Sequence, residues 1–408
     1  MGLDVDAVRS HFPSLASGTA HFDGPGGSQT PTAVAEAVAS CLTSSIANRG
    51  RVSAAERQAD EVVSEARAAM GDLLGTEPGT VIFGRSMTAL TMDMARTLAR
   101  CQEWGPGDEV VVTSLDHDAN IRPWVIAAQA AGATVRWAEV DPATGELPVG
   151  VVTQVLGNRT RMVAVTGASN LIGTRPDLDA IIAAAHDVGA LVHVDAVHLA
   201  AHSSIDRDAL GADLLSCSPY KFFGPHVGVM CGRAELLEEL RPDKLLPSTD
   251  AVPERFELGT LPYELLAGTT AAVDFLAGLG ELGHRPAPTG RRERLRVSFA
   301  AMEEHEDALR LRAEQGLAQI EGVTLLSRAA HRTPTLLLTL DGVEPATVHR
   351  HPADRGVNAP ASHFYAWELS HRLGLGSQGA VRAGMAPYTT AGEVDRLVEG
   401  VAELAARR

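Results

Sequence analysis

The stretch LVHVDAVHLAAHSSIDRDALGADLLSCSPYKFFGP, residues 191–225, decides the fold. It opens on an apolar, β-branched run, Leu191–Asp195, whose last residue is an acid. One helix–strand unit separates that acid from Lys221, 26 residues on, and the lysine stands in an aromatic, turn-forming segment directly after a second apolar strand. Two strands joined by a crossover of this length pair in parallel, so Asp195 and Lys221 emerge from the same edge of one sheet. Parallel sheets bind their ligands in the crevice beyond the carboxyl ends of their strands.

Working outward, the same rhythm fills residues 30–240. Further strands are expected at Thr80–Phe83, Glu109–Thr113, Thr134–Glu139, Met162–Thr166, Asp213–Ser216 and Val227–Cys231. Ala89–Arg100 and Leu178–Val188 read as helices between them, and Val34–Ile46 and Ala54–Leu74 as helices before the first. The strands are near-continuous hydrophobic runs, as in a sheet covered on both faces. The class is α/β, with a large domain built on a mostly parallel seven-stranded sheet sandwiched by helices. After a turn-rich stretch, Leu245–Pro262, come a helix from Tyr263 to about Leu279, a Pro/Gly patch at 285–290 and a charged helix from Arg292 to about Gln319. Strands Val323–Ser327 and Thr335–Leu340 and a final helix, Ala391–Ala406, complete a smaller α+β domain. The division is 21–268 for the large domain and 269–408 for the small one.

Composition bounds the function. The 408 residues carry 35 basic and 51 acidic side chains, a net charge of −16, which disfavours non-specific binding to nucleic acid or anionic membrane. Cys41, Cys101, Cys217 and Cys231 show neither a CxxC pair nor metal-like spacing with histidine, so no disulfide framework and no metal site is expected. The N-terminus lacks the basic and apolar regions of a signal peptide, and no apolar run reaches the ~18 residues that span a bilayer. A cytoplasmic protein is the expectation.

The polar residues just after the strands carry the chemistry. A lysine amine attacks a carbonyl only when neutral, and desolvation or a neighbouring cation makes it so. A surface lysine near a turn accounts for Lys221 taken alone. A pyridoxal cofactor needs a carboxylate against its pyridinium nitrogen, which suits Asp195, although a capping aspartate is the plain alternative. His117, in SLDHDAN after the strand Glu109–Thr113, is placed to stack on an aromatic cofactor face or to serve as a hydrogen-bonded loop residue. GRSMTAL, residues 84–90, puts small residues at a helix N-terminus, an anion site suited to phosphate, while a capping Ser86 or Thr88 explains it equally.

Together these segments resemble the class V aminotransferase family of fold-type I pyridoxal-phosphate enzymes, most closely its cysteine desulfurase-like branch. The resemblance runs from HFDGPGGSQTP at 21–31 to VRAGMAPYTTAGEVDRL at 381–397, and D-x-x-H and S-x-Y-K-F-F-G-P are its most specific segments. It implies pyridoxal 5'-phosphate as cofactor, Lys221 as the Schiff-base lysine and Cα base, Asp195 on the ring nitrogen and His117 stacked on the ring. His198 would stand where a glutamine usually bonds the phenolic oxygen. Ser86, Met87, Thr88, Ser218 and Tyr220 would hold the phosphate, with Tyr220 replacing a histidine. Asn170 would lie near the substrate, and Arg382 would clamp its α-carboxylate, a surface salt bridge being the other reading of that arginine. Thr260 and the segment 47–53 would reach the neighbouring subunit of a homodimer with shared active sites, and residues 1–20 would pack with the small domain.

The resemblance breaks at the persulfide cysteine. No cysteine follows Cys231, and the matching loop, NAPASHFYAWEL at 358–369, carries Tyr365 near the cysteine position. A tyrosine cannot hold a persulfide, and its pKa near ~10 keeps it protonated. His363 and Tyr365 are then acid–base groups, substrate contacts or ordinary packing. The expectation is a lyase acting on an amino acid and cleaving a C–S or other Cβ-substituent bond. An aminotransferase or epimerase is the alternative within the family, and an inactive cofactor-binding scaffold the alternative outside it. A nicotinamide oxidoreductase is disfavoured because no GxGxxG follows a first strand.

Overall fold

The computed structural model describes residues 3–282 and 288–407. Seven strands form the large sheet: β1 (Val81–Gly84), β2 (Glu109–Thr113), β3 (Thr134–Ala138), β4 (Thr160–Thr166), β5 (Leu191–Asp195), β6 (Leu214–Cys217) and β7 (Gly228–Gly232). Their order is β1-β7-β6-β5-β4-β2-β3. All neighbours pair in parallel except β7, which runs against both β6 and β1. The expected strands lie within one or two residues of these bounds. The reversal of β7 is a property of pairing partners, and a local apolar run does not carry it.

Alternation across the pleat explains why the strands read as unbroken apolar runs. Val110 and Val112 pack with Leu98 and Trp124 on one face, while Val111 between them packs with Met70 and Ile181 on the other. Met162 and Ala164 divide from Val163 and Val165 in the same way. The helix Ala54–Leu74 opens on a capping box of Ser53 and Glu56 and stops at Gly75, which has φ 65°. Helices Arg122–Ala131, Val149–Val155 and Pro345–Ala353 were not among the expected elements.

A four-stranded antiparallel sheet forms the second unit: β8 (Val323–Leu325), β9 (Thr335–Leu340), β10 (Ala361–Ser362) and β11 (Ala380–Gly384), in the order β10-β11-β9-β8. Its core joins Leu336, Leu338, Val381 and Leu397 to Phe22 of the N-terminal segment. Arg9 ties that segment down by donating to the Tyr388 carbonyl and to Glu393 at 3.0 Å. The patch at 285–290 lies partly outside the described residues. Contrary to the expectation that no apolar run reaches a membrane-spanning length, the helix Tyr263–Leu282 is long and apolar enough to cross a membrane by length and composition, its charged residues Glu264, Asp274 and Glu281 being few and scattered. Half of it is buried, and it packs on the helices Thr32–Leu42, Ala54–Leu74 and Arg291–Leu317 as a core helix.

Candidate active site

Asp195 ends β5, and its register partner on β6 is Ser216, so the chain leaving β6 passes beside it through Ser218 into a short turn, Pro219–Lys221. Lys221 Nζ donates to the carbonyls of Pro25 and of Gly26, the latter at 3.1 Å, and lies 4.7 Å from the centre of the Tyr220 ring. Burial, with the Arg382 charge beside it, lowers the Lys221 pKa to about 7. Asp195 accepts from the Val197 N–H at 2.9 Å, and burial raises its carboxyl to about 6 against the opposing pull of that bond and of Lys221. A buried carboxylate lacking a full complement of donors is primed for a cationic partner.

His117 follows β2. Its Nδ1 accepts from the Ala119 N–H at 3.0 Å, which leaves the proton of the neutral ring on Nε2. Burial and the Lys221 charge push its pKa down to about 4. Behind it runs a buried polar chain that the sequence reading missed. Asp116 accepts from the Thr113 hydroxyl and from Asn120 Nδ2, while Asn120 Oδ1 meets His193 Nδ1 at 2.7 Å and His193 Nε2 meets Ser216 Oγ at 2.8 Å. Burial lifts Asp116 to about 8 and lowers His193 to about 3, so both are neutral near pH 7.

At the end of β1, Ser86 caps the helix Met87–Cys101 by accepting from the Ala89 N–H at 3.1 Å. The Met87 and Thr88 N–H groups have no intrahelical acceptor, and both residues line the cleft, a combination suited to an anion. Gly228 makes room for this turn, since a β-carbon there would lie 2.1 Å from the Ser86 carbonyl carbon and 2.5 Å from the Met87 nitrogen.

The opposite wall comes from the second unit. Arg382 on β11 is 1% exposed, with Nη2 on Asp23 Oδ1 at 2.7 Å, Nη1 on the Asn170 carbonyl at 3.0 Å and its guanidinium 3.7 Å over the Phe364 ring. Its Nε has no partner among the described residues. Asn170 Nδ2 donates to the Phe364 carbonyl at 2.9 Å. Phe364 and Tyr365 have φ values of 48° and 58°, and the Tyr365 ring stacks on His117 with centroids 5.5 Å apart.

The cleft so enclosed measures about 640 Å³. It brings together Ser86, Met87, Thr88, His117, Asn170, Asp195, His198, Ser218, Tyr220, Lys221, Tyr365 and Arg382. His363 is not among its lining residues; it accepts from the Tyr365 N–H at 3.1 Å and packs edge-on against Tyr365 and Trp367. Thr260 is exposed and lies outside the cleft of this chain. Asp23, Met92, Arg122 and Phe364 also line it; only proximity in space reveals them, although HFDG at 21–24 was within the resemblance.

The family description Aminotransferase class-V matches residues 20–397. The chain belongs to the class V aminotransferase family. Over 99% of its length it is 34% identical to the whole of "Uncharacterized protein MT3887" of Mycobacterium tuberculosis (strain CDC 1551 / Oshkosh). It is 30% identical to a cysteine desulfurase of Dickeya dadantii (strain 3937), with 97% of this chain and 96% of that one covered. The structure of the cysteine desulfurase CsdA (S-sulfonic acid) from Escherichia coli superposes with a TM-score of 0.85 at 27% identity, covering 99% of this chain and 98% of that chain. Class V aminotransferases and cysteine desulfurases depend on pyridoxal phosphate, and this enzyme is a pyridoxal-phosphate enzyme of the fold-type I class. The donor set fits that group. Free N–H groups beside the Gly228 notch suit a phosphate, the buried Asp195 suits a protonated ring nitrogen, and the desolvated Lys221 suits an aldehyde.

Proposed function

We propose that this class V enzyme breaks a bond to the β-carbon of an α-amino acid, with C–S cleavage of a cysteine-like substrate as its reaction. The observation that carries this reading is the pairing of Lys221 on one wall of the cleft with the buried Arg382 on the other, an amine near neutrality facing a carboxylate receptor. When bound, the cofactor supplies an electron sink for a carbanion at Cα. The chain does the rest. Lys221 would hold the cofactor through its amine and move the proton at the substrate Cα. Asp195 would pair with the cofactor's ring nitrogen, and His117 would pack against the cofactor. Ser86, Met87, Thr88, Ser218 and Tyr220 hold the phosphate.

Arg382 is held in place by Asp23 and the Asn170 carbonyl, which take one N–H on each terminal nitrogen and leave further guanidinium N–H groups for a substrate carboxylate. Substrate selection falls to Asn170 and Tyr365, with His363 supporting the loop. The cysteine desulfurase relatives supply the leaning towards sulfur. Tyr365 near the position of the persulfide thiol supports release of sulfide by elimination in place of sulfur transfer to a cysteine thiol.

The unit is a cytoplasmic homodimer in this reading, with Thr260 and the segment 47–53 bordering the partner's pocket. The exposed side chains of Leu42, Val52 and Leu258 around these segments support the dimer, and four free thiols suit a reducing compartment. Residues 21–268 form the cofactor domain, and 1–20 with 269–408 the second.

The test is cofactor loading followed by borohydride reduction and peptide mass analysis, then product analysis with L-cysteine and L-alanine. The expected result is a reduced cofactor adduct on Lys221, with sulfide and pyruvate in equal amounts from L-cysteine. An adduct elsewhere overturns the lysine assignment. Keto acid without sulfide replaces the lyase reading by transamination.

A further inference from the structure

Outside the cleft, the helix Arg291–Leu317 borders a second cavity, of about 160 Å³, with Glu303, Glu306, Asp307 and Arg310. Spacings of three and four residues put these groups on one side of the helix. Another wall is made of two pieces of chain joined by their backbones. The Arg175 N–H donates to the His331 carbonyl and the Thr333 N–H to the Gly173 carbonyl, each at 2.9 Å. His202, 5% exposed, lines the same space.

Part of the charge here is already committed. Arg310 and Arg332 both donate to Glu314, and Arg310 Nε donates to Asp307 Oδ1 at 3.1 Å. The rest is open. The Arg175 guanidinium makes no hydrogen bond among the described residues and pairs only with Glu303, at 3.7 Å. Asp307 Oδ2 accepts no bond among the described residues. His202 Nδ1 meets Glu306 Oε2 at 2.9 Å, whereas its Nε2 has no partner among the described residues and, unlike Glu306 Oε1, keeps accessible surface.

A ligand of one sign fits this lining poorly. A lone anion would meet Glu303 and Asp307, and a lone cation would meet Arg175, so half of the site opposes either one. A molecule with an anionic and a cationic end satisfies both halves. Size narrows the class: a cavity of roughly 150 Å³ takes benzene, with about six heavy atoms, and alanine is of that size.

We propose that the second cavity is a binding site for a small α-amino acid in its zwitterionic form, separate from the cleft. The carboxylate takes the Arg175 guanidinium as a two-pronged partner, and the ammonium donates to Asp307 and to His202 Nε2. For this the imidazole carries its proton on Nδ1, directed at Glu306, which orients the ring. Binding is non-covalent, and the site stands whatever reaction the cleft performs.

The experiment titrates L-alanine calorimetrically into cofactor-loaded enzyme that has been reduced with borohydride, which stops the chemistry of the cleft. A saturable event is expected that persists in Arg382→Ala and weakens at least about tenfold in Arg175→Gln and in Asp307→Asn. Both side chains are exposed, so these two variants are expected to melt as the wild type does, and Arg175→Lys recovers part of the binding. Propionate, which lacks the ammonium, and ethylamine, which lacks the carboxylate, are each expected to bind at least about tenfold more weakly than alanine. An event lost in Arg382→Ala and untouched by Arg175→Gln belongs to the cleft and overturns the second site, as does the absence of any saturable heat. Propionate or ethylamine binding as tightly as alanine overturns the assignment to a zwitterion.

Discussion

The cleft has two walls, and they are ordered by different means. On the sheet wall, Asp195, Lys221 and His117 stand at strand ends whose backbone is fixed by the ladder, and the Asp116–Asn120–His193–Ser216 chain fills the space beneath them. On the loop wall, Phe364 and Tyr365 adopt left-handed backbone angles, the Tyr365 side chain is 70% exposed, and the segment is tied by two bonds, Asn170 Nδ2 to the Phe364 carbonyl and the Asp118 N–H to the Tyr365 carbonyl at 2.8 Å. Left-handed angles cost energy for residues with side chains and persist where neighbours impose them. The sheet wall is preorganised, and in the proposed reading the loop wall is where a change of residue would alter substrate choice without disturbing the fold.

Substitutions on the two walls test that contrast. The largest effect belongs to Lys221→Ala, expected to abolish the lysine-linked absorption band and to lower turnover by on the order of 10³-fold or more, read by spectroscopy and product assay. A variant that keeps both the band and turnover removes the chemistry from the sheet wall.

Arg382→Ala comes next. It strips the proposed carboxylate receptor and leaves Asp23 unpaired, so substrate binding is expected to weaken by about 2–5 kcal/mol, seen as a rise in KM larger than any fall in kcat. Arg382→Lys recovers only part of this, because an ammonium lacks the fork geometry. An unchanged KM in the alanine variant would detach the arginine from substrate binding.

Asp116→Asn tests the buried chain through stability. The folded-state pKa of Asp116, about 8, lies above its ordinary 3.8, so the folded protein binds the extra proton between those values. The contribution of this group is present at acid pH and is lost as pH rises through about 8. The asparagine variant therefore gains on the wild type from pH 4 to pH 8, by on the order of 3 kcal/mol, measured as the difference in denaturant midpoints at the two pH values. Parallel pH dependences in the two proteins would show that Asp116 ionises freely.

The smallest effect is expected for Tyr365→Ala. Its melting and cofactor band stay within about 0.5 kcal/mol of wild type, since an exposed ring is removed, while KM rises by no more than about tenfold through loss of the stack on His117. A collapse of cofactor binding in this variant would erase the distinction between the walls.

The legibility of the site follows the same division. Asp195, Lys221 and His117 were readable because each directly follows an apolar run, and the run's length sets where the side chain leaves the sheet. Arg382 and Tyr365 carry no such local signal and came only with the resemblance. Asp23, the polar chain behind His117, and the bond between His198 and Thr333 were not readable, because their partners lie 359, 73 and 135 residues apart.

The amino-acid order by itself determined the layered α/β architecture, the strand ends that carry the reactive groups, and the absence of a thiol in the loop at 358–369, because hydrophobic periodicity and residue identity are local properties. Tertiary structure decided the reversed direction of β7, the facing of Lys221 by Arg382, the exclusion of His363 from the cleft, and the neutrality of Asp116, His117 and His193 near pH 7. Pairing direction, desolvation and charge proximity depend on which distant segments meet, and those arise only when the chain has closed on itself.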